Sequence, residues 1–304
     1  MMSEWMIETK GLSKKFRNFT PVDQLQLHVR EGEVYGFLGP NGAGKTTTIR
    51  MLLGLIRPSS GSIHIFDREL SRYRSHILSQ VGAMVESPSY YGHLTGRENL
   101  KLTCTLLRIP EAEVDRVLDI VRLSRAQHKL ARTYSLGMKQ RLGIAQALLG
   151  QPKLLILDEP TNGLDPAGIQ EIRELIVQMP REHGITVFIS SHILKEIELV
   201  ANRVGIIHTG RLLFEGEMSE LREQGHPFIR LHAEPVQQTI DYLHTWGYPV
   251  EAVDHGMNIK ADPAEASVIN RRLIMNHVDV SHLSIGGRSL EDVFLEMTKG
   301  ADSL

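Results

Sequence analysis

Cysteine is nearly absent from this chain of 304 residues. Cys104 stands alone, which excludes an intramolecular disulfide and a thiolate-built zinc cage, and fits a reducing compartment. Long apolar runs are missing too. No stretch approaches the ~20 apolar residues that cross a bilayer. The first ten residues, Met1 to Lys10, include acidic side chains and no continuous apolar segment of a secretory signal. The expectation is a soluble chain, any membrane role of which must come from a partner. Charge of one sign is lacking as well: 34 Lys and Arg stand against 36 Asp and Glu, a formal −2, with a pI near 6.7. That balance gives no sign of a nucleic-acid footprint, which needs a basic face; a basic patch hidden within the balanced total is the alternative. The 14 histidines show no H-E-x-x-H or comparable ligand spacing, so they read as core and surface histidines. Internal repeats and low-complexity tracts are also wanting.

What is present begins with Gly39-Pro40-Asn41-Gly42-Ala43-Gly44-Lys45-Thr46, which fits G-x-x-x-x-G-K-[ST]. The apolar run Val34 to Leu38 reads as a buried strand and Lys45 to Leu53 as a helix. A strand turning through glycines into a helix aims backbone N–H groups and the positive end of the helix dipole at one spot. That spot suits a polyphosphate, bound by the Gly42 to Thr46 amides, with Lys45 reaching the β- and γ-phosphates, the Thr46 hydroxyl on Mg²⁺, and Asn41 and Thr47 beside them. An ordinary glycine-rich turn is the alternative.

Short apolar strands alternate with helices, which argues for a mostly parallel, covered sheet in an α/β fold. Strands are expected at Gln24 to Val29, Gly61 to Phe66, Val81 to Val85, Leu154 to Leu157, Ile185 to Ile189, Val204 to His208 and Arg211 to Glu215. Residues 87 to 150 form an all-helical insert. Thr95-Gly96-Arg97-Glu98 is a capping box opening its first helix, through Leu107. A second helix is expected from Glu111 to Val121, and a third from Leu136 to Leu149, ended by Gly150. Asp165 and Pro166 start another helix. Residues 1–224 thus form one domain. After Gly225 the order strand, helix, two strands, helix, strand suggests a ferredoxin-like α+β domain over 225–304, with a last helix from Leu290 to Thr298.

Leu154 to Leu157 runs into Asp158 and Glu159. An Asp at such a strand end binds Mg²⁺ and the adjacent Glu activates the attacking water; the alternative is a core strand leaving into an acidic turn. Ser190-Ser191-His192 follows another buried strand, where a His reaches a γ-phosphate oxygen; the alternative is a capping Ser beside a surface His. Ser135 at an N-cap leaves its hydroxyl and the next N–H groups to grip an anion, although by physics alone this is a capped helix.

Together these motifs resemble the nucleotide-binding subunit of an ABC transporter, over roughly residues 5 to 220. By that resemblance the fold is a P-loop NTPase cassette with a RecA-like core, an antiparallel β subdomain and a helical subdomain. Lys45 and Thr46 match Walker A, Asp158 and Glu159 match Walker B, and Ser135-Leu136-Gly137-Met138 matches the signature. Asn162-Gly163-Leu164-Asp165 matches the D-loop, His192 the switch histidine, and Phe16, with Phe19 close by, the ring against adenine. The resemblance implies ATP and Mg²⁺ as cofactors, Glu159 and His192 as catalytic residues, and a membrane permease as partner. It also implies a head-to-tail dimer, a homodimer in the simplest case, with Ser135 and Gly137 acting on ATP across the interface.

Two departures stand out. Leu136 and Met138 replace the usual Gly and Gln of the signature, and Leu136 cannot cheaply take φ > 0, so helix is expected there. Glu86 stands where most of the family has Gln, at the hinge before the helical insert. A carboxylate still offers oxygen to a hard cation, while adding a charge near phosphate and Glu159; pointing to solvent is its alternative. Glu86, the stretch Ser87 to Gly96, and Ser289 to Phe294 resemble the lantibiotic-immunity and bacitracin-resistance subfamily. The expected function is therefore ATP hydrolysis powering export of a peptide antibiotic. Permease contacts are expected within 87–105, where Tyr90 and Tyr91 serve as anchor or as ordinary packing. A permease-free ABC ATPase, an exporter of another substrate and a regulatory protein gated by its C-terminal domain are the competing readings.

Overall fold

The computed structural model describes residues 5–223, 227–253, 256–287 and 290–301. Gly225 and Ser289 lie outside them. The chain divides into two compact units between Met218 and Ser219.

In the first unit, β1 (Trp5–Phe16), β2 (Phe19–Leu25) and β3 (His28–Arg30) lead to β4 (Val34–Leu38) and α1 (Lys45–Leu52). Next come β5 (Ser60–Ile65), β6 (Arg68–Glu69), α2 (Leu70–Leu78) and β7 (Val81–Met84). The helices α3 (Gly96–Leu107), α4 (Glu113–Ile120) and α5 (Leu136–Leu148) make up the insert. Then follow β8 (Leu154–Asp158), α6 (Pro166–His183), β9 (Thr186–Ser191), α7 (Leu194–Glu198), β10 (Arg203–His208) and β11 (Arg211–Glu217). The short α8 (Met218–Glu223) begins at the boundary.

The central sheet runs β11-β10-β4-β9-β8-β7, parallel throughout except for the β10–β11 hairpin. Every residue of β4, β8 and β9 is buried, as expected of strands covered on both faces. Tyr35 and Phe37 each bring their rings within 5.4 Å of Phe188 on the neighbouring strand. A second, antiparallel sheet is ordered β2-β1-β5-β6, with β3 also paired to β1.

The expected strand from Gln24 to Val29 is in fact two. Gln24 takes φ 52°, β2 stops at Leu25 and β3 resumes at His28. The apolar alternation survives the break, since Leu25, Leu27 and Val29 are all fully buried. Thr9 heals the ladder there: its hydroxyl donates to the Leu25 carbonyl and accepts from the Leu27 N–H. The long β1 escaped the sequence reading because it pairs with β2, β3 and β5 with register shifts in each, which destroys period-two alternation. In the insert, the capping box at Thr95 and Glu98 forms as expected.

The second unit contains β12 (Pro227–Glu234), α9 (Val236–Thr245), β13 (Val250–Val253), β14 (Gly256–Ile259), α10 (Ala266–Met275), β15 (Asp279–Gly287) and α11 (Leu290–Ala301). Its sheet is ordered β13-β14-β12-β15 with all neighbours antiparallel, the ferredoxin-like arrangement. Ile229, Leu231, Met257 and Ile259 of the sheet pack on Leu243, Ile269 and Leu273 of its helices. No helix among the described residues is long and apolar enough to cross a membrane.

Candidate nucleotide-binding site

Parallel pairing brings three strand ends to one edge. Leu38 of β4 stands opposite Ser191 of β9, and Asp158 of β8 opposite Ser190. The loop after β4 is pinned by Gly39 N–H to the Ser191 carbonyl at 3.3 Å. It passes through positive φ at Gly42 (83°) and at Gly44 (110°), the N-cap of α1. A Cβ on Gly44 would lie 2.2 Å from the Pro21 carbonyl oxygen, so no larger residue fits. The α1 N-terminus has no side-chain cap, which leaves its first-turn donors facing the loop. One amide of the run, expected with the others from Gly42 to Thr46 to hold phosphate, already has a partner: Ala43 N–H donates to the Pro40 carbonyl at 3.1 Å.

Lys45 is buried, with two carbonyl acceptors and one carboxylate partner within reach of its ammonium. It donates to the carbonyls of Gly39 at 2.7 Å and Pro40 at 3.2 Å, and forms an ion pair with Glu159 Oε1 at 3.2 Å. Thr46 donates its hydroxyl to Asp158 Oδ2 at 2.9 Å. Ser190 links the Asp158 carboxylate to the Glu159 backbone: its hydroxyl donates to Asp158 Oδ1 at 2.6 Å and accepts from Glu159 N–H at 3.0 Å. His192 Nδ1 lies 2.7 Å from Glu159 Oε2. The Glu159 carboxylate is thus held between Lys45 and His192. Glu159 and Glu86 take left-handed backbone, φ 49° and 62°, a conformation that costs a residue with a Cβ about 1 kcal/mol.

Two cavities flank the loop. One, about 350 Å³, is lined by Phe19, Asn41, Gly42, Gly44, Lys45, Thr46, Thr47 and Glu159. The expected adenine ring was Phe16, but Phe19 is the aromatic on this cavity. The two residues face each other across the end of the β1–β2 hairpin, and the Phe16 ring is half exposed with Lys14 Nζ 4.9 Å from its centroid. The second cavity, about 490 Å³, is lined by Thr46, Glu86, Tyr90, Leu136, Lys139, Gln140, Asp158 and Glu159. Glu86 follows β7 and opens onto this space, paired with Arg50 of α1.

The remaining expected residues sit elsewhere. Ser135 caps α5 and accepts from Met138 N–H at 3.2 Å, so one of the amides expected to grip an anion is already bonded. Leu136, by contrast, lines the second cavity; it is helical, as expected, and half exposed. Gly137 is buried in the first turn of α5. Asp165 caps α6 through Gly168 N–H at 3.0 Å and lines neither cavity. Sequence reasoning assigned no role to Ser190, Thr161 or Glu196. The last is a hub, accepting from Thr161 at 2.5 Å and Ser191 at 3.2 Å. Only their position beside the acidic strand end and His192 could have signalled them.

The family profile described as "ABC transporter" matches residues 22–162. The bacitracin transport ATP-binding protein BcrA of Bacillus licheniformis is 43% identical over 300 residues, covering 97% of this chain and 98% of that protein. The chain belongs to the ABC transporter ATP-binding family. A lantibiotic transport ATP-binding protein, SrtF of Streptococcus pyogenes, is 43% identical to this cassette over 212 residues, 70% of this chain and 91% of its own. A solved ATP-binding subunit of an ABC transporter superposes with a TM-score of 0.64 at 32% identity, over 72% of this chain and 92% of that one. The cassette is accordingly an ATP-binding, ATP-hydrolysing protein of P-loop fold.

Proposed function

We propose that this ATPase powers a separate membrane permease that exports or removes a peptide antibiotic of the bacitracin or lantibiotic type. The supporting observation is the cluster at one sheet edge, where Thr46 meets Asp158 and Glu159 is held between Lys45 and His192. The names of the relatives support the substrate class. In this reading the α1 amides and Lys45 hold the β- and γ-phosphates, and Lys45 exchanges its loop carbonyls for phosphate oxygens. Phe19 offers a ring to the base. Glu159 accepts a proton from the water that attacks the γ-phosphorus as the bond to the bridging oxygen breaks and ADP leaves. His192 orients that carboxylate and contacts the γ-phosphate.

Oxygen-only donors at Thr46, Asp158 and Glu86 suit a hard cation such as Mg²⁺. Among the described residues no three acidic, His or Cys side chains form a protein-only metal cage. Phosphate and water would therefore complete its shell, and its charge would neutralise the β- and γ-phosphates. Ser135 and Gly137 act on the ATP of a second cassette, and Asp165 positions the D-loop by capping α6. The C-terminal unit is an accessory domain. Catalysis then takes place on the cytoplasmic face, with the permease as the only membrane attachment.

The test expresses the chain with its cognate permease in a bacitracin- and lantibiotic-sensitive host. Protection by the intact pair and its loss with Glu159→Gln is the expected result. Unprotected cells despite measurable ATPase activity would overturn the substrate class and leave the hydrolytic assignment standing.

A further inference from the structure

Thr46 and Arg50 are one turn apart on α1, and Arg50 pairs its guanidinium with the Glu86 carboxylate. Glu86 lines the same cavity as Thr46, Asp158 and Glu159, and its left-handed backbone follows the end of β7, where Met84 stands opposite Leu157. Both partners of the pair are well exposed, Arg50 at 44% and Glu86 at 61% of the side chain. An ion pair this solvated is weak and exchanges readily. Among the described residues Glu86 therefore has one ion-pair partner, Arg50, and shares a cavity with the Thr46, Asp158 and Glu159 oxygens, a donor set that suits a cation.

We propose that Arg50 is a positioning residue that competes with the divalent cation for the Glu86 carboxylate. The inference rests on the reading of Glu86 as a cation ligand. While the pair is formed, the extra negative charge at the cavity is balanced and the carboxylate is held at its rim. When a cation–nucleotide complex enters, Glu86 leaves Arg50 for the cation, and the guanidinium turns to solvent. Arg50 thereby sets the cation concentration at which the site closes. It makes the β7 hinge responsive to the loaded cation, because the residue that moves is the one joining the core to the helical insert. A guanidinium in the last turn of α1 also complements the helix dipole, and the experiment separates that structural role from competition.

The test is a Mg²⁺ titration of the binding of a fluorescent, non-hydrolysable ATP analogue to the full chain. Wild type, Arg50→Gln, Glu86→Gln and the double variant are compared, with melting curves to establish folding. Arg50→Gln is expected to lower the half-saturating Mg²⁺ about 2- to 5-fold, the range an exposed pair can supply. Glu86→Gln is expected to raise it, and adding Arg50→Gln to that background to change nothing further. The same shift from Arg50→Gln in both backgrounds would mean a structural role and overturn the proposal. So would a shift with Glu86→Gln but none with Arg50→Gln, leaving Glu86 as a cation ligand. If Glu86→Gln alone left the titration unmoved, the Glu86 assignment would fail and the proposal with it.

Discussion

The two ends of the parallel sheet are both rich in polar side chains, but those side chains bond to different things. At the amino end, side-chain oxygens close on backbone donors. Glu33 accepts from Arg30 N–H at 2.7 Å, Thr186 from Gly32 N–H at 2.9 Å and Asn202 from Val34 N–H at 3.0 Å. Tyr35 donates to Glu215, which also takes His28 N–H. At the carboxyl end the side chains mostly bond to one another, in the Thr46–Asp158–Ser190 chain and the Lys45–Glu159–His192 chain. Backbone donors at the start of α1 carry no side-chain cap. Polar groups that finish the backbone's own bonding make a structural end. Polar groups held by exchangeable partners beside uncapped amides make a binding end.

The contrast breaks most severely at Glu159. Glu159→Gln should lower the rate of phosphate release by about 10²- to 10⁴-fold while nucleotide binding persists and ATP-bound dimers accumulate on size exclusion. Near-normal hydrolysis would sink the catalytic assignment. Next is Gly44→Ala, which sets a Cβ against the Pro21 carbonyl at a φ of 110°. Nucleotide binding should be lost in equilibrium titrations and the melting temperature should fall, because loop and strand must part to admit the methyl group.

The amino end should respond in stability, with activity spared. Burial raises the Glu33 carboxyl from 4.5 to about 7, desolvation outweighing the Arg30 N–H and the nearby Arg203. The folded chain then holds a proton that the unfolded chain has released between these values. Stability is fully present below about pH 4.5 and declines as pH rises to about 7, by at most about 3 kcal/mol. Glu33→Gln should flatten that decline in denaturant titrations and leave phosphate release unchanged. A decline of the same size in the variant would remove Glu33 as its source.

The smallest effect sharpens the comparison within one element type. Thr95→Ala and Ser135→Ala each delete an N-cap, and each should cost about 1 kcal/mol of stability. Only Ser135→Ala should also weaken ATP-driven dimerisation, measured by light scattering. Equal dimerisation in both variants would confine Ser135 to capping.

Much of the cassette was legible because its signals are local. The phosphate loop carries its glycines and lysine in one run, the capping box needs four residues, and fully buried strands contain continuous apolar stretches such as Leu154 to Leu157. The long β1 was not legible, since its burial follows three partners in shifted registers. Phe19 rather than Phe16 on the cavity was equally hidden, because both lie at one hairpin end and only the path of that turn distinguishes them. Ser190 and Arg50 are ordinary residues until their partners, Asp158, Glu159 and Glu86, arrive from distant segments.

By itself the sequence determined the loop chemistry, the acidic strand end, the helical insert and the βαββαβ order of the second unit. Each of these is a short-range pattern of conformational preference and side-chain type. Tertiary structure decided which partners those groups meet: Glu159 between Lys45 and His192, and Glu86 against Arg50. Such choices depend on strand order and register, which join residues from 33 positions apart, Glu159 and His192, to 114 apart, Lys45 and Glu159, and leave no mark in any one segment.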